Sequence, residues 1–126
     1  MITKLLFLLL KSYNISMNLL DQKCVPCEGG VDPMTKADAE VMLEFYVKDW
    51  MLIDDSKSIT KNFEFKNFSE ALSFVNKVGT IAESEGHHPD IHLTDYKFVN
   101  INLSTHAIGG LSQNDFIVAA KINAIV

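Results

Sequence analysis

Two periodicities, one near 3.6 and one of 2, divide the apolar positions of this chain into recognisable elements. Thr35 has the chemistry of a helix N-cap with Asp38 three residues on, and Ala39, Met42, Leu43, Tyr46 and Val47 recur at helical spacing, predicting a helix to about Lys48. Trp50 to Ile53 is a short apolar run, Asp54 to Lys57 a polar turn, and Ile59, Lys61, Phe63 and Phe65 share one side of an extended segment, which together predict a hairpin. Asn67 or Ser69 can cap a second helix, in which Ala71, Leu72, Phe74, Val75, Val78, Ile81 and Ala82 form a wide stripe and Gly86 supplies the stop. Ile91 to Leu93 and Tyr96 to Leu103 predict a second hairpin turning at Thr94-Asp95, with Val99, Ile101 and Leu103 on one side. Gly109-Gly110 breaks the chain, and the S-x-x-D signature of Ser112 and Asp115 opens a last amphipathic helix carrying Phe116, Val118, Ala119, Ile122 and Ile125. The order is α-β-β-α-β-β-α. Short turns make paired strands antiparallel, so the predicted class is α+β, a four-stranded antiparallel sheet with helices packed on one face.

The remainder of the chain is organised differently. Asn18 to Met34, with Cys24-Val25-Pro26-Cys27-Glu28-Gly29-Gly30 and Asp32-Pro33, is too turn-rich for a long helix or strand and reads as an arm. Residues 1–16 are expected to be an N-terminal extension, with the arm at 17–34, the main domain at 35–126, and an alternative start at Met17. Leu5 to Leu10 lies between Lys4 and Lys11 and is far short of the roughly 20 residues a membrane span needs. It also lacks the cleavage pattern of a signal peptide. With 126 residues and 48% apolar content the chain can bury a core without metal or disulfide support. Its net charge is -5, and Lys4 and Lys11 are the only charges in residues 1–16, so the rest carries -7. No basic stripe is present, which argues against nucleic acid as a partner. Two cysteines are too few for a secreted disulfide scaffold, so the expected compartment is the cytoplasm.

Histidines concentrate the candidate chemistry. His87, His88 and His92 fall within six residues, and His106 stands where a predicted strand ends before the Gly-Gly break. Imidazole titrates near neutrality and can both accept and deliver a proton, which suits acid-base catalysis. The same His-His-Pro segment also fits a polar loop favoured by a helix C-terminus. A metal site is poorly supported: Glu83 is one turn before His87, but the His88 to His92 spacing is interrupted by Pro89. Cys24-x-x-Cys27 lacks both the second ligand pair of a zinc knuckle and the strand-helix context of a redox pair, and reads as packed or solvent-facing thiols. Trp50 is expected in the core, although a tryptophan starting a strand beside a cleft can stack on a flat heterocycle, which makes it a substrate-binding candidate. Asp115 is explained as a cap, a role expected also to bring it near His106.

Taken in order, Glu83-Ser84-Glu85-Gly86-His87-His88-Pro89, Tyr96, Leu103-Ser104-Thr105-His106 and Gly110-Leu111-Ser112-Gln113-Asn114-Asp115 resemble the pterin-4a-carbinolamine dehydratases. A looser likeness runs from Trp50 through Phe63 and Phe65 to Ile125, and the Cys24 to Gly30 arm looks like the lead-in of bacterial and plant members. The resemblance implies the same α+β sheet and a hydro-lyase activity: dehydration of 4a-hydroxytetrahydropterin to quinonoid dihydropterin, which recycles the pterin of aromatic amino-acid hydroxylases. It assigns His87, His88 and His106 to the active site, with Glu83 and Asp115 as acidic neighbours that set histidine tautomer and charge. On this reading His88 and His106 handle protons while His87 binds and orients the ring. No metal or redox cofactor is implied. The implied partners are a small-molecule pterin, other copies of the chain in a homodimer or homotetramer, and a functional link to a hydroxylase. Gly86 replaces an acidic residue carried by many members, and Asn114 a basic one found in some. The alternative expectation is a pterin-binding or protein-interaction module without turnover, resembling the members that act as dimerisation cofactors.

Overall fold

The computed structural model describes residues 18–26 and 29–126; the Leu5 to Leu10 run and Cys27 lie outside the described residues. Helix α1 (Lys36–Tyr46) begins where Thr35 Oγ1 accepts a hydrogen bond from the Asp38 amide at 3.2 Å. It stops two residues short of the predicted end, because Val47 leaves the helical region and turns with Trp50 into the core. Strands β1 (Met51–Ile53) and β2 (Ser58–Glu64) follow as a hairpin. Asp54, Asp55 and Ser56 at its tip all have positive φ. Short polar side chains such as Asp tolerate that region because they can bond locally.

Asn67, not Ser69, caps α2 (Phe68–Glu85): its Oδ1 accepts from the Glu70 amide at 2.8 Å. Gly86 ends the helix in the left-handed conformation at φ 65°, where a Cβ would be strained. Strands β3 (Asp90–Thr94) and β4 (Phe98–Leu103) form the second hairpin, turning through Asp95 and Tyr96. A 3-10 turn at His106–Ile108 leads to α3 (Gln113–Asn123), which opens with the reciprocal Ser112 and Asp115 capping box.

The sheet order is β1-β2-β4-β3, antiparallel throughout. Its register sets Ile59, Lys61 and Phe63 opposite Leu103, Ile101 and Val99, and the three helices cover this apolar face as predicted. Phe116, Ile117, Val118, Ala119 and Ile122 of α3 are buried in the same core. The opposite face is polar, with Asn100 Nδ2 donating to Thr60 Oγ1 at 3.0 Å and to Asn62 Oδ1 at 2.6 Å. Among the described residues no helix is long and apolar enough to cross a membrane.

Candidate active site

One corner of the molecule gathers the end of α2, the loop after β4 and the start of α3. The left-handed turn at Gly86 directs the next two residues out of the helix, with the Gly86 and His87 amides both bonding the Ala82 carbonyl. His87 folds inward, its side chain 12% exposed, and its Nε2 meets Asp115 Oδ1 at 2.6 Å. Asp115 is fully buried. Its second oxygen, Oδ2, accepts from Thr105 Oγ1 at 2.8 Å and from the Ser112 amide at 3.0 Å. The cap of α3 is therefore also the group that holds His87. The cap also brings Asp115 within a hydrogen bond of Thr105, the residue before His106, while its own histidine contact is to His87.

His88 points the other way, with its side chain 62% exposed and Nε2 2.5 Å from Glu83 Oε2. His106 opens the 3-10 turn and is exposed, with no side-chain hydrogen bond among the described residues. A Thr105–Gly110 bridge closes the loop that carries it. These histidines line one cleft of about 340 Å³ together with Cys24, Val25, Pro26, Glu85, Ser104, Thr105, Ala107 and Asn114. That size lies within the usual range for small-molecule sites, about 300–1,000 Å³. A second cleft of about 330 Å³ shares His88, Ser104 and His106 and continues past Lys57, Asp90 and Asn102. Two exposed imidazoles thus stand between two adjoining hollows.

Other candidates lie elsewhere. Trp50 does not line either hollow: it is 2% exposed, packs edge-on to Phe63 and donates from Nε1 to Asn123 Oδ1 at 3.0 Å. Its place as a substrate platform is thereby corrected to one in the core, because the turn from Val47 aims it beneath the sheet rather than along the rim. Tyr96 is exposed in the β3–β4 turn, and His92 lies on the polar sheet face beside Asn100. Among the described residues no three His, Cys, Asp or Glu side chains converge as metal ligands.

Several residues that the motif contains take part in the site in ways the sequence pattern did not assign. Thr105 and Ser112 complete the Asp115 network, their hydroxyls 2.7 Å apart. Glu85 is buried against Lys121, Oε2 to Nζ 2.6 Å, and accepts the Cys24 amide at 2.8 Å through Oε1. Burial alone would raise the Glu85 carboxyl, but the Lys121 bond and the Cys24 amide together hold it below its ordinary value. The Cys24 thiol is pushed up to about 12, first by burial and then by the Glu85 charge, so it stands neutral in the wall of the cleft. The His-His doublet was visible because it is contiguous, whereas this support is contributed from distant segments that no local pattern joins.

Comparison with known proteins gives a consistent picture. The family model described as "Pterin 4 alpha carbinolamine dehydratase" matches residues 32–125. A protein of Halorhodospira halophila, provisionally named a pterin-4-alpha-carbinolamine dehydratase, is 50% identical over 109 residues, 86% of this chain and 98% of that protein. Pterin-4-alpha-carbinolamine dehydratase 2, mitochondrial, of Arabidopsis thaliana is 44% identical over 111 residues, 86% of this chain and 59% of that one. Among solved structures, a transcriptional coactivator/pterin dehydratase from Brucella melitensis superposes with TM-score 0.68 at 32% identity, covering 75% of this chain and 98% of its own.

Proposed function

Since the chain belongs to the pterin-4a-carbinolamine dehydratase family, we propose that the histidine cleft dehydrates 4a-hydroxytetrahydropterin to quinonoid dihydropterin and water. The observation that carries this reading is the convergence of His87, His88 and His106 on one cleft, with the first two each bonded to a carboxylate. The reaction breaks the C4a–O bond, forms the C4a=N5 double bond and moves one proton from N5 to the departing oxygen. It requires a base and an acid on a bound ring and no change of oxidation state.

The three histidines divide these tasks by environment. His87, anchored to the buried Asp115, cannot swing and serves to bind and orient the ring. His88 and His106 are exposed, and they take the N5 proton and supply the one that leaves with hydroxide. Solvent then restores both imidazoles. Glu83 fixes the tautomer of His88 by occupying its Nε2, and Asp115 does the same for His87. In this reading the protein returns pterin to an aromatic amino-acid hydroxylase.

A spectrophotometric dehydration assay with 4a-hydroxytetrahydropterin tests the proposal. His106→Ala is expected to lower turnover about a hundredfold or more, the usual scale for a positioned acid or base. Because His106 is exposed, folding stability should move by no more than about 0.5 kcal/mol. Parallel loss of turnover and stability would sink the assignment, and a wild-type protein without turnover would leave a binding module.

A further inference from the structure

Val25 and Pro26 sit at the rim of the histidine cleft, yet no apolar burial keeps them there: Val25 is 67% exposed. What holds this part of the arm is polar. Asn114 Oδ1 accepts from the Val25 amide at 3.0 Å while Asn114 Nδ2 donates to the Val25 carbonyl at 2.7 Å, a two-point clasp of the kind a neighbouring strand would make. One residue earlier the Cys24 amide donates to Glu85, whose other oxygen is tied to Lys121. Asn114 is 5% exposed and the Glu85 side chain 4%. Buried polar groups are costly unless satisfied, and here the partner that satisfies them is the backbone of an exposed segment. The arm is also fixed on either side, by buried Leu19 and a Gln113–Gln22 bond upstream. Downstream, Gly29 passes so near the His106 loop that a Cβ there would stand 3.1 Å from the Ala107 carbonyl.

We infer that Asn114 and Glu85 are positioning residues that seat Cys24 to Pro26 as a fixed wall of the cleft, and that the bound ring packs against the apolar edge offered by Val25 and Pro26. This rests on the pterin reading above. The family model begins at residue 32, but a match over 86% of the chain is longer than residues 32–126 can hold, so the likeness to the Halorhodospira protein reaches into the arm. An apolar side chain pinned at a cleft mouth gains burial only when something covers it, and a flat heterocycle does so without losing hydrogen bonds. The wall thus acts on binding more than on proton transfer.

Fluorescence titration with a non-reacting 7,8-dihydropterin, alongside the dehydration assay, separates the possibilities. Asn114→Ala should weaken binding about tenfold and raise KM in step, with kcat changed less than about twofold. Trypsin should cut after the exposed Lys23 faster in this variant, reporting a loosened arm. Val25→Ala should weaken binding without altering that cleavage rate, and it carries the test if Asn114→Ala does not fold. Binding unchanged in Val25→Ala, or unchanged in Asn114→Ala while cleavage accelerates, would overturn the inference and leave the pterin reading intact. Failure of the wild-type protein to bind the dihydropterin overturns both.

Discussion

His87 and His88 are adjacent in sequence but live in unlike surroundings. His87 is gripped by a carboxylate with no exposure of its own, whereas both members of the His88–Glu83 pair face solvent. Exposed ion pairs contribute about 0–1 kcal/mol, so the Glu83 bond adds little to folding, and in the proposed reading it sets tautomer and orientation instead. Asp115 is different, since one carboxylate accepts from Thr105 and the Ser112 amide and also meets His87. Replacing it by Asn sets an NH2 group either against the Thr105 and Ser112 donors or against His87 Nε2, which must then give up its proton and accept. Asp115→Asn is expected to cost about 2–4 kcal/mol of stability in denaturant unfolding. It should lower turnover about a hundredfold, with dihydropterin binding weakened because His87 is released. Retention of full binding would show that His87 needs no anchor.

At the scale of elements, the site is a meeting of helix ends. The C-terminus of α2 supplies Glu83, Glu85 and the histidine doublet, and the N-terminus of α3 supplies Asn114 and Asp115. Glu85–Lys121 is an ion pair between these two helices, with the carboxylate side chain buried and the lysine half-buried. A carboxyl lowered by folding contributes stability that is fully present above its ordinary value of about 4.5 and is lost as pH falls through the lowered one. Stability measured from pH 7 down to pH 3 should therefore show an acid limb that is shallower in Glu85→Gln than in the wild type. Identical limbs would mean that Glu85 titrates alike in the folded and unfolded chain.

Across the whole molecule, the sheet supports the helices and the arm is packed against the loop that bears His106. Pro33 packs on Gly110 so closely that a Cβ at residue 110 would lie 2.6 Å from the Pro33 Cβ, and the Met34 amide bonds the Leu111 carbonyl at 2.9 Å. The arm and the loop bearing His106 are thus fitted to one another. Gly110→Ala should destabilise the protein by about 1–3 kcal/mol, because a ring on the backbone cannot yield as a flexible side chain can. Pro33→Gly in the same chain should recover part of that loss. Additive losses in the double variant, measured by thermal unfolding, would show that the two residues do not press on each other.

Sequence alone determined the elements and most of their ends, because periodicity, caps and glycine stops are local: the Thr35, Asn67 and Ser112 caps and the Gly86 stop stand where chain chemistry places them. The His87-His88 doublet was legible for the same reason, and the motif around it identified the family. Only the tertiary structure decided which carboxylate serves which histidine, that Trp50 belongs to the core, and that Asn114 clasps Val25 from 89 residues away. Those relations depend on how α2, α3 and the arm pack together, and contacts between segments so far apart leave no periodic trace in the chain.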